Sequence, residues 1–290
     1  MLNILVTGAD GQLGSELRKL GAASANNYIY TDIAQLDITD GEAVAAFADA
    51  HAVDIIVNCA AYTNVEQAED DELKAYAINC TAVGNLAAAA VRRNALLIHI
   101  STDYVFDGRS REPYTEDMPT APLNAYGRTK LAGEQAIAGS GCRHIILRTA
   151  WLYSEFGRNF VKSVLRQMDE RTDLKVVTDQ TGTPTYAADL AEALFDIIEN
   201  GKYAGRDGIY HFTNEGQCSW YDLARAIALE VGNTESRIAR CGTWEYPAKA
   251  VRPLFSVLDK SKFKRTFGRD IAHWSDALKR CIRQIKNKAE

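Results

Sequence analysis

The sequence predicts an α/β fold in which a doubly wound parallel sheet precedes a smaller C-terminal lobe, and three observations lead there. Short β-branched or aliphatic runs recur over the first half of the chain and are apolar throughout instead of alternating, as strands buried on both faces are. Longer helix-like stretches separate them in a βαβαβ rhythm. A turn with glycine at every third position, Gly8-x-x-Gly11-x-x-Gly14, joins the first run to the first helix.

The predicted strands are residues 3–6, 28–30, 54–57, 96–100 and 144–147, with helices over 12–20, 42–50, 72–93 and 126–138 between them. Past Trp151 the rhythm loosens. A helix over 159–171, a strand over 174–177, the loop "DQTGTP", a helix over 187–198 and a strand within "GIYHFTN" follow. Ser219 with Asp222 three residues on resembles a capping box that starts a helix running to Val231. From Gly232 on, Pro, Arg and aromatic residues break the pattern into short elements. Residues 1–150 are expected to form one domain and residues 151–290 mainly a smaller, substrate-facing lobe, with strands 174–177 and 209–212 free to return to the main sheet.

Composition excludes several classes. A chain of 290 residues with 47% hydrophobic content is long enough for a large core and too apolar for disorder. Its net charge of -5 is spread along the chain, and the basic cluster Lys260, Lys262, Lys264 and Arg265 lies in a mixed segment, which reads as a solvated face and not a nucleic-acid footprint. The six cysteines form no C-x-x-C pair, and several fall in apolar runs, so a reducing cytoplasm is expected. No apolar run approaches the ~20 residues that span a bilayer, and a strand begins almost at Met1, so neither a membrane nor secretion is indicated.

The glycines have separate uses if a dinucleotide pyrophosphate sits on their turn. One allows the tight bend, one lets the backbone approach the phosphates, and one lets the helix pack close to the strand. The helix N-terminus then offers free N–H groups and a partial positive charge. The spacing differs from the commoner G-x-G-x-x-G, and alone it also fits a glycine-rich turn with no ligand. Asp32, eighteen residues after Gly14 at the end of the second strand, can accept hydrogen bonds from an adenosine ribose; a bare surface aspartate is the alternative. Asp37 and Ile38 follow where an adenine would lie, and "NCAAYT" ends the third strand with small residues.

Tyr126 and Lys130 in "AYGRTKLAGE" are four apart and share a helix face. About one such pair is expected by chance in this composition. Position makes it informative, because it opens the helix before the fifth strand while Thr102 and Asp103 end the fourth, where open α/β sheets keep their ligands. A tyrosine, with an ordinary pKa near ~10, needs a nearby cation to act as an acid-base group at neutral pH, and Lys130 is one turn away. Arg252 and the "DQTGTP" loop are candidate walls for a diphosphate, Arg252 through its planar fork of donors.

Together, the glycine turn, Ser101-Thr102 and Tyr126-x-x-x-Lys130 resemble an extended short-chain dehydrogenase/reductase, which has a Rossmann-type fold. "GADGQLGSEL", "STDYVFDG", "PLNAYGRTKLAGE" and "RTAWLY" are similar to the members that reduce a nucleotide-linked 4-keto sugar, dTDP-4-dehydro-L-rhamnose. The resemblance is strongest over residues 1–190 and includes "DQTGTPT" and Arg252-Pro253. It implies NADH or NADPH as cofactor, with Gly8, Gly11, Gln12, Leu13 and Gly14 at the pyrophosphate and Asp32, Asp37 and Ile38 around the adenosine. Ala60, Ala61 and Tyr62 would lie on the nicotinamide side, with Tyr126 and Lys130 at the reacting end. Thr102, Asp103 and Trp151 would face the sugar nucleotide.

The implied reaction is hydride transfer to the C4 carbonyl, giving dTDP-L-rhamnose. Tyr126 donates the proton, Lys130 lowers its pKa and holds the ribose, and Thr102 polarises the carbonyl. The same architecture hosts nucleotide-sugar epimerases and dehydratases, and the wording also resembles a non-catalytic, dinucleotide-binding subunit of some methionine adenosyltransferases. Two departures stand out. Ile100 occupies a position that is aromatic in some members. Some members also hold Mg²⁺ at a dimer interface, where Glu16 and Glu192 could take part here, but Ala188 stands in place of one ligand and two carboxylates are few for a hard cation. A monomer or homodimer with no metal is the expectation.

Overall fold

The structure is a computed structural model that describes residues 1–170 and 173–288. Its first half alternates strands and helices: β1 (Asn3–Thr7), α1 (Gln12–Gly21), β2 (Asn27–Thr31), α2 (Gly41–Ala50), β3 (Ile55–Asn58), α3 (Val65–Asp70), α4 (Glu72–Tyr76), α5 (Ala82–Arg93), β4 (Leu96–Thr102), α6 (Ala125–Ser140) and β5 (Arg143–Thr149). The second half holds β6 (Leu152–Tyr153), α7 (Phe160–Glu170), β7 (Asp173–Val177), β8 (Thr181–Gly182), β9 (Thr185–Tyr186), α8 (Ala187–Glu199), β10 (Gly208–His211), β11 (Cys218–Ser219), α9 (Trp220–Val231), β12 (Arg237–Cys241), α10 (Ser261–Phe267) and α11 (Trp274–Asn287). Arg171, the last residue of a predicted helix, lies outside the described residues.

Six strands form one parallel sheet in the order β10-β5-β4-β3-β1-β2. The order reverses at β1, and ligands of such sheets lie in the crevice that this reversal leaves at the strands' carboxyl ends. The continuous apolar runs have a direct cause: both faces are covered. Leu13 and Leu17 of α1 pack with Leu190 and Leu194 of α8 on one side, and Val44 of α2, Leu86 of α5 and Ile137 of α6 pack on the other. Each such fully buried side chain contributes about 1.5–3 kcal/mol.

The helix predicted over 72–93 is interrupted. Between α4 and α5 a π-helical turn, Ala77–Thr81, carries the buried Asn79. At Gly133 of α6 a Cβ would stand 2.2 Å from the Asn79 carbonyl oxygen, so α6 rests directly on this turn.

Of the two strands left free to return to the sheet, the later one does so: β10 pairs with β5 at its edge. β7 does not, and pairs with β12 in a separate two-stranded ribbon. α11 was not anticipated; its apolar Ala277, Leu278, Cys281 and Ile282 recur at helical spacing among Lys, Arg and Gln, and they pack beneath α9. The basic cluster is a solvated face only in part, at the exposed Arg265. Lys260 is only 8% exposed and, with Lys264, pairs with Glu215, while Lys262 donates to the Ile209 carbonyl of β10. No helix among the described residues is long and apolar enough to cross a membrane.

Candidate active site

The carboxyl ends of β1, β3, β4 and β5 open on a cavity of ≈ 1410 Å³. One end is built by the glycine turn. Gly8 lies at φ +64°, and a Cβ there would stand 2.5 Å from the Ala60 amide nitrogen, so this glycine makes the bend and lets the β3 loop close on it. A Cβ at Gly14 would meet Ala9 Cα at 2.5 Å, which is the close helix–strand packing. Gly11 is the open one: its Cβ would meet only the Gly8 carbonyl oxygen, at 3.2 Å. It is also the N-cap of α1, where no side chain caps the helix. The first-turn N–H groups at Gln12 and Leu13 thus lie at the cavity, with no acidic residue in that turn.

Asp32, Asp37 and Ile38 line the same end. The Asp32 carboxylate accepts from the Asp10 and Ile33 N–H groups at 3.0 and 2.8 Å. The Thr39 hydroxyl and N–H hold the Asp37 carboxyl below the ordinary range. Ala60 and Ala61 form wall, but Tyr62 turns away. Its backbone is clamped by the Asn79 amide at 2.9 and 3.1 Å, and its ring packs against Ala68, Ala75 and Ala125. The wall continues instead through Thr63.

At the other end the Asn124 side chain caps α6 by accepting from the Gly127 N–H at 2.8 Å, which sets Tyr126 in the first turn. Tyr126, Thr102, Asp103, Lys130 and Trp151 all line the cavity. Burial pushes the Tyr126 phenol up to about 12, the Thr102 hydroxyl pulling it down and Asp103 pushing it up. Lys130 is not among the groups that lower it. The Lys130 Nζ is drawn to β4 instead, donating to the Ile100 carbonyl oxygen at 2.6 Å and lying 3.3 Å from His99 Nε2.

Asp103 is 2% exposed. Burial pushes its carboxyl up to about 7 against the Ser256 and Thr102 hydroxyls. Its Oδ1 accepts from Thr102 at 3.0 Å, and its Oδ2 has no partner among the described residues. Trp151 adopts φ +47°, and its indole stacks on Trp220 at 3.6 Å and 11°. Gly182 in the "DQTGTP" loop lies against that indole; a Cβ would come within 2.6 Å of it. Arg252 reaches the cavity but pairs with Glu66 at 2.5 Å.

Sequence reasoning missed His99, Trp220 and Glu66. The one available signal was His99, a polar residue inside the otherwise apolar run "LLIHI". Glu16 and Glu192 line a second cavity of ≈ 330 Å³ beside Ala188. Lys19 lies 2.7 Å from both Glu16 and Glu155, and Arg269 takes Glu192 at 3.1 Å. Carboxylates already paired with these cations do not fit Mg²⁺.

The family model described as the RmlD substrate binding domain matches residues 2–287. A dTDP-4-dehydrorhamnose reductase of Aggregatibacter actinomycetemcomitans is 41% identical over 288 residues, covering 96% of this chain and 98% of that protein. Among solved structures, a dTDP-4-dehydrorhamnose reductase of Clostridium acetobutylicum superposes with a TM-score of 0.94 at 40% identity, covering 98% of this chain and 100% of its own. One from Bacillus anthracis, in complex with NADP, gives 0.91 at 36% identity with the same coverage.

Proposed function

Because the chain belongs to the RmlD substrate binding domain family, we propose that it is a nicotinamide-dependent oxidoreductase that reduces the C4 keto group of dTDP-4-dehydro-L-rhamnose to give dTDP-L-rhamnose. One observation carries this reading: Thr102, Tyr126 and Lys130 converge in the same cavity as the uncapped α1 N-terminus. A bare helix end beside Gly11 suits a pyrophosphate, so the residues present fit a dinucleotide. When bound, that cofactor supplies the hydride.

The protein's own residues do the rest. The N–H groups at Gln12 and Leu13, next to Gly11, hold the phosphates, and Asp32 and Asp37 face the adenosine. Asp32 favours a free ribose 2′-hydroxyl and has no arginine directly after it, so NADH is used at least as well as NADPH. Tyr126 donates a proton to the C4 oxygen as the hydride arrives, and Thr102 stabilises the charge growing there. Lys130 reaches the nicotinamide ribose and offsets the cost of a tyrosinate. Asp103 and Trp151 bound the sugar, and Arg252, exchanging Glu66 for a diphosphate oxygen, holds the nucleotide. Residues 1–150 thus carry the dinucleotide and 151–290 mainly the sugar nucleotide. The six free cysteines suit a reducing cytoplasm.

The test generates the keto sugar in situ and follows NADH or NADPH absorbance. We expect kcat/KM far higher for dTDP-4-dehydro-L-rhamnose than for free 4-keto sugars, because remote binding energy positions the carbonyl. No cofactor oxidation with any nucleotide 4-keto sugar would overturn the proposal.

A further inference from the structure

Three polar residues stand on one rung of the sheet just beneath the cavity: Thr7 of β1, Asn58 of β3 and His99 of β4, paired in register. All are buried, His99 completely, and Lys130 of α6, 1% exposed, lies over the imidazole. The hydrogen bonds fix the protons along this row. Asn58 Oδ1 accepts from the Ala60 backbone N–H at 3.1 Å and from the Thr7 hydroxyl at 2.8 Å. A backbone N–H can only donate, so the amide orientation is settled. Asn58 Nδ2 therefore donates, and its partner at 3.0 Å is His99 Nδ1. An imidazole accepting at Nδ1 carries its one proton on Nε2. Nε2 lies 3.3 Å from Lys130 Nζ, which itself donates to Ile100 O at 2.6 Å. An N–H facing an ammonium is donor against donor, with no hydrogen bond. An N–H facing an amine meets a lone pair.

We propose that His99 is a positioning residue that weakens the hold of Lys130 on its proton, so that in alkaline solution dinucleotide binding draws a proton onto Lys130. The second half rests on the reading of Lys130 as a cofactor ligand; the first half does not. Burial acts in the same direction, pressing Lys130 down to about 8 against the raising influence of Glu134 on α6 and Cys59 after β3. Burial and Lys130 likewise hold His99 well below its ordinary range, so the imidazole is neutral. Glu134 and Cys59 are the titratable groups whose charge acts on Nζ, with the His99 imidazole 3.3 Å away, and Glu134 is itself bound by Arg148 of β5 at 2.7 Å.

The experiment follows the Lys130 ¹³Cε shift through a pH titration of the ligand-free protein, assigned by its loss in Lys130→Arg. A midpoint near 8 is expected, moving up by about one unit or more in His99→Gln, whose amide oxygen can accept from an ammonium. A midpoint near the ordinary ~10.4 in the parent chain overturns the proposal without any variant. So does the same midpoint in both proteins. Calorimetry of NADH binding at about pH 9, in buffers of different ionisation enthalpy, should show uptake approaching one proton per site in the parent and less in His99→Gln. Binding without proton uptake refutes the coupling. A protein that binds no dinucleotide refutes the functional reading, and the ligand-free titration still decides the role of His99.

Discussion

The two ends of the cavity are made in opposite ways. At the glycine turn, function follows from missing side chains: Gly8 and Gly14 let backbone touch backbone, Gly11 leaves a helix end bare, and only the approach of Gly8 to Ala60 is distant in sequence. At the Tyr126 end, function follows from side chains gathered over long separations and buried together, and burial sets their proton affinities. A site of the first kind tolerates no added atom. One of the second kind is tuned by each neighbour's charge.

The largest test of this contrast is Tyr126→Phe. Losing the acid should lower the chemical rate by about 10²- to 10⁴-fold while dinucleotide affinity holds. Near-normal turnover by the Phe variant would remove Tyr126 from the chemistry and leave the second end without its centre. Next comes Gly8→Ala, which combines a positive φ with a backbone clash and should destabilise the fold by roughly 2–4 kcal/mol. Gly11→Ala should instead leave thermal stability almost unchanged and weaken NADH binding about tenfold, a loss of roughly 1.4 kcal/mol. Equal damage in both unfolding and binding assays would show that the three glycines are not distinct in use.

Asp103→Asn probes the second end through pH. The folded carboxyl titrates near 7 against an ordinary 3.8, so the folded chain keeps a proton that the unfolded chain releases. The stability this contributes is full below about pH 4 and lost as pH rises through about 7. The Asn variant should therefore melt above the parent at pH 8, by about 1–3 kcal/mol of stability, with the advantage vanishing near pH 4. A pH-independent difference between the two melting curves would place the carboxyl's effect in packing. The smallest effect is expected for Trp220→Leu, which removes the stack on Trp151. Substrate KM should rise by up to about tenfold, the value of an aromatic pair of about 0.5–1.5 kcal/mol, with the KM for NADH unmoved.

The same contrast explains what could be read from sequence alone. Gly8, Gly11 and Gly14, Asp32, and the Tyr126–Lys130 spacing are legible because each acts within one turn or one strand–helix unit. His99 acquires meaning only from Asn58 and Thr7 in neighbouring strands, a register that no local pattern encodes. Trp220 reads as the first residue of a capped helix, and nothing near it in sequence says that it meets Trp151. Spacing puts Tyr126 and Lys130 on one face, whereas the carbonyl of Ile100 decides where the Lys130 Nζ goes.

The pairing of β10 with β5 has a consequence for how this chain is made. Strands β1 to β5 leave the ribosome long before Gly208, so during synthesis the nascent sheet waits with the edge of β5 unsealed. An open, apolar parallel edge is a template for wrong pairing. The emerging chain can close it only after α8 has crossed the sheet and packed on α1, so the smaller lobe acts as a late fastener for the larger one. A fragment ending at Ala150 would keep nearly all of the dinucleotide turn and would still be expected to aggregate.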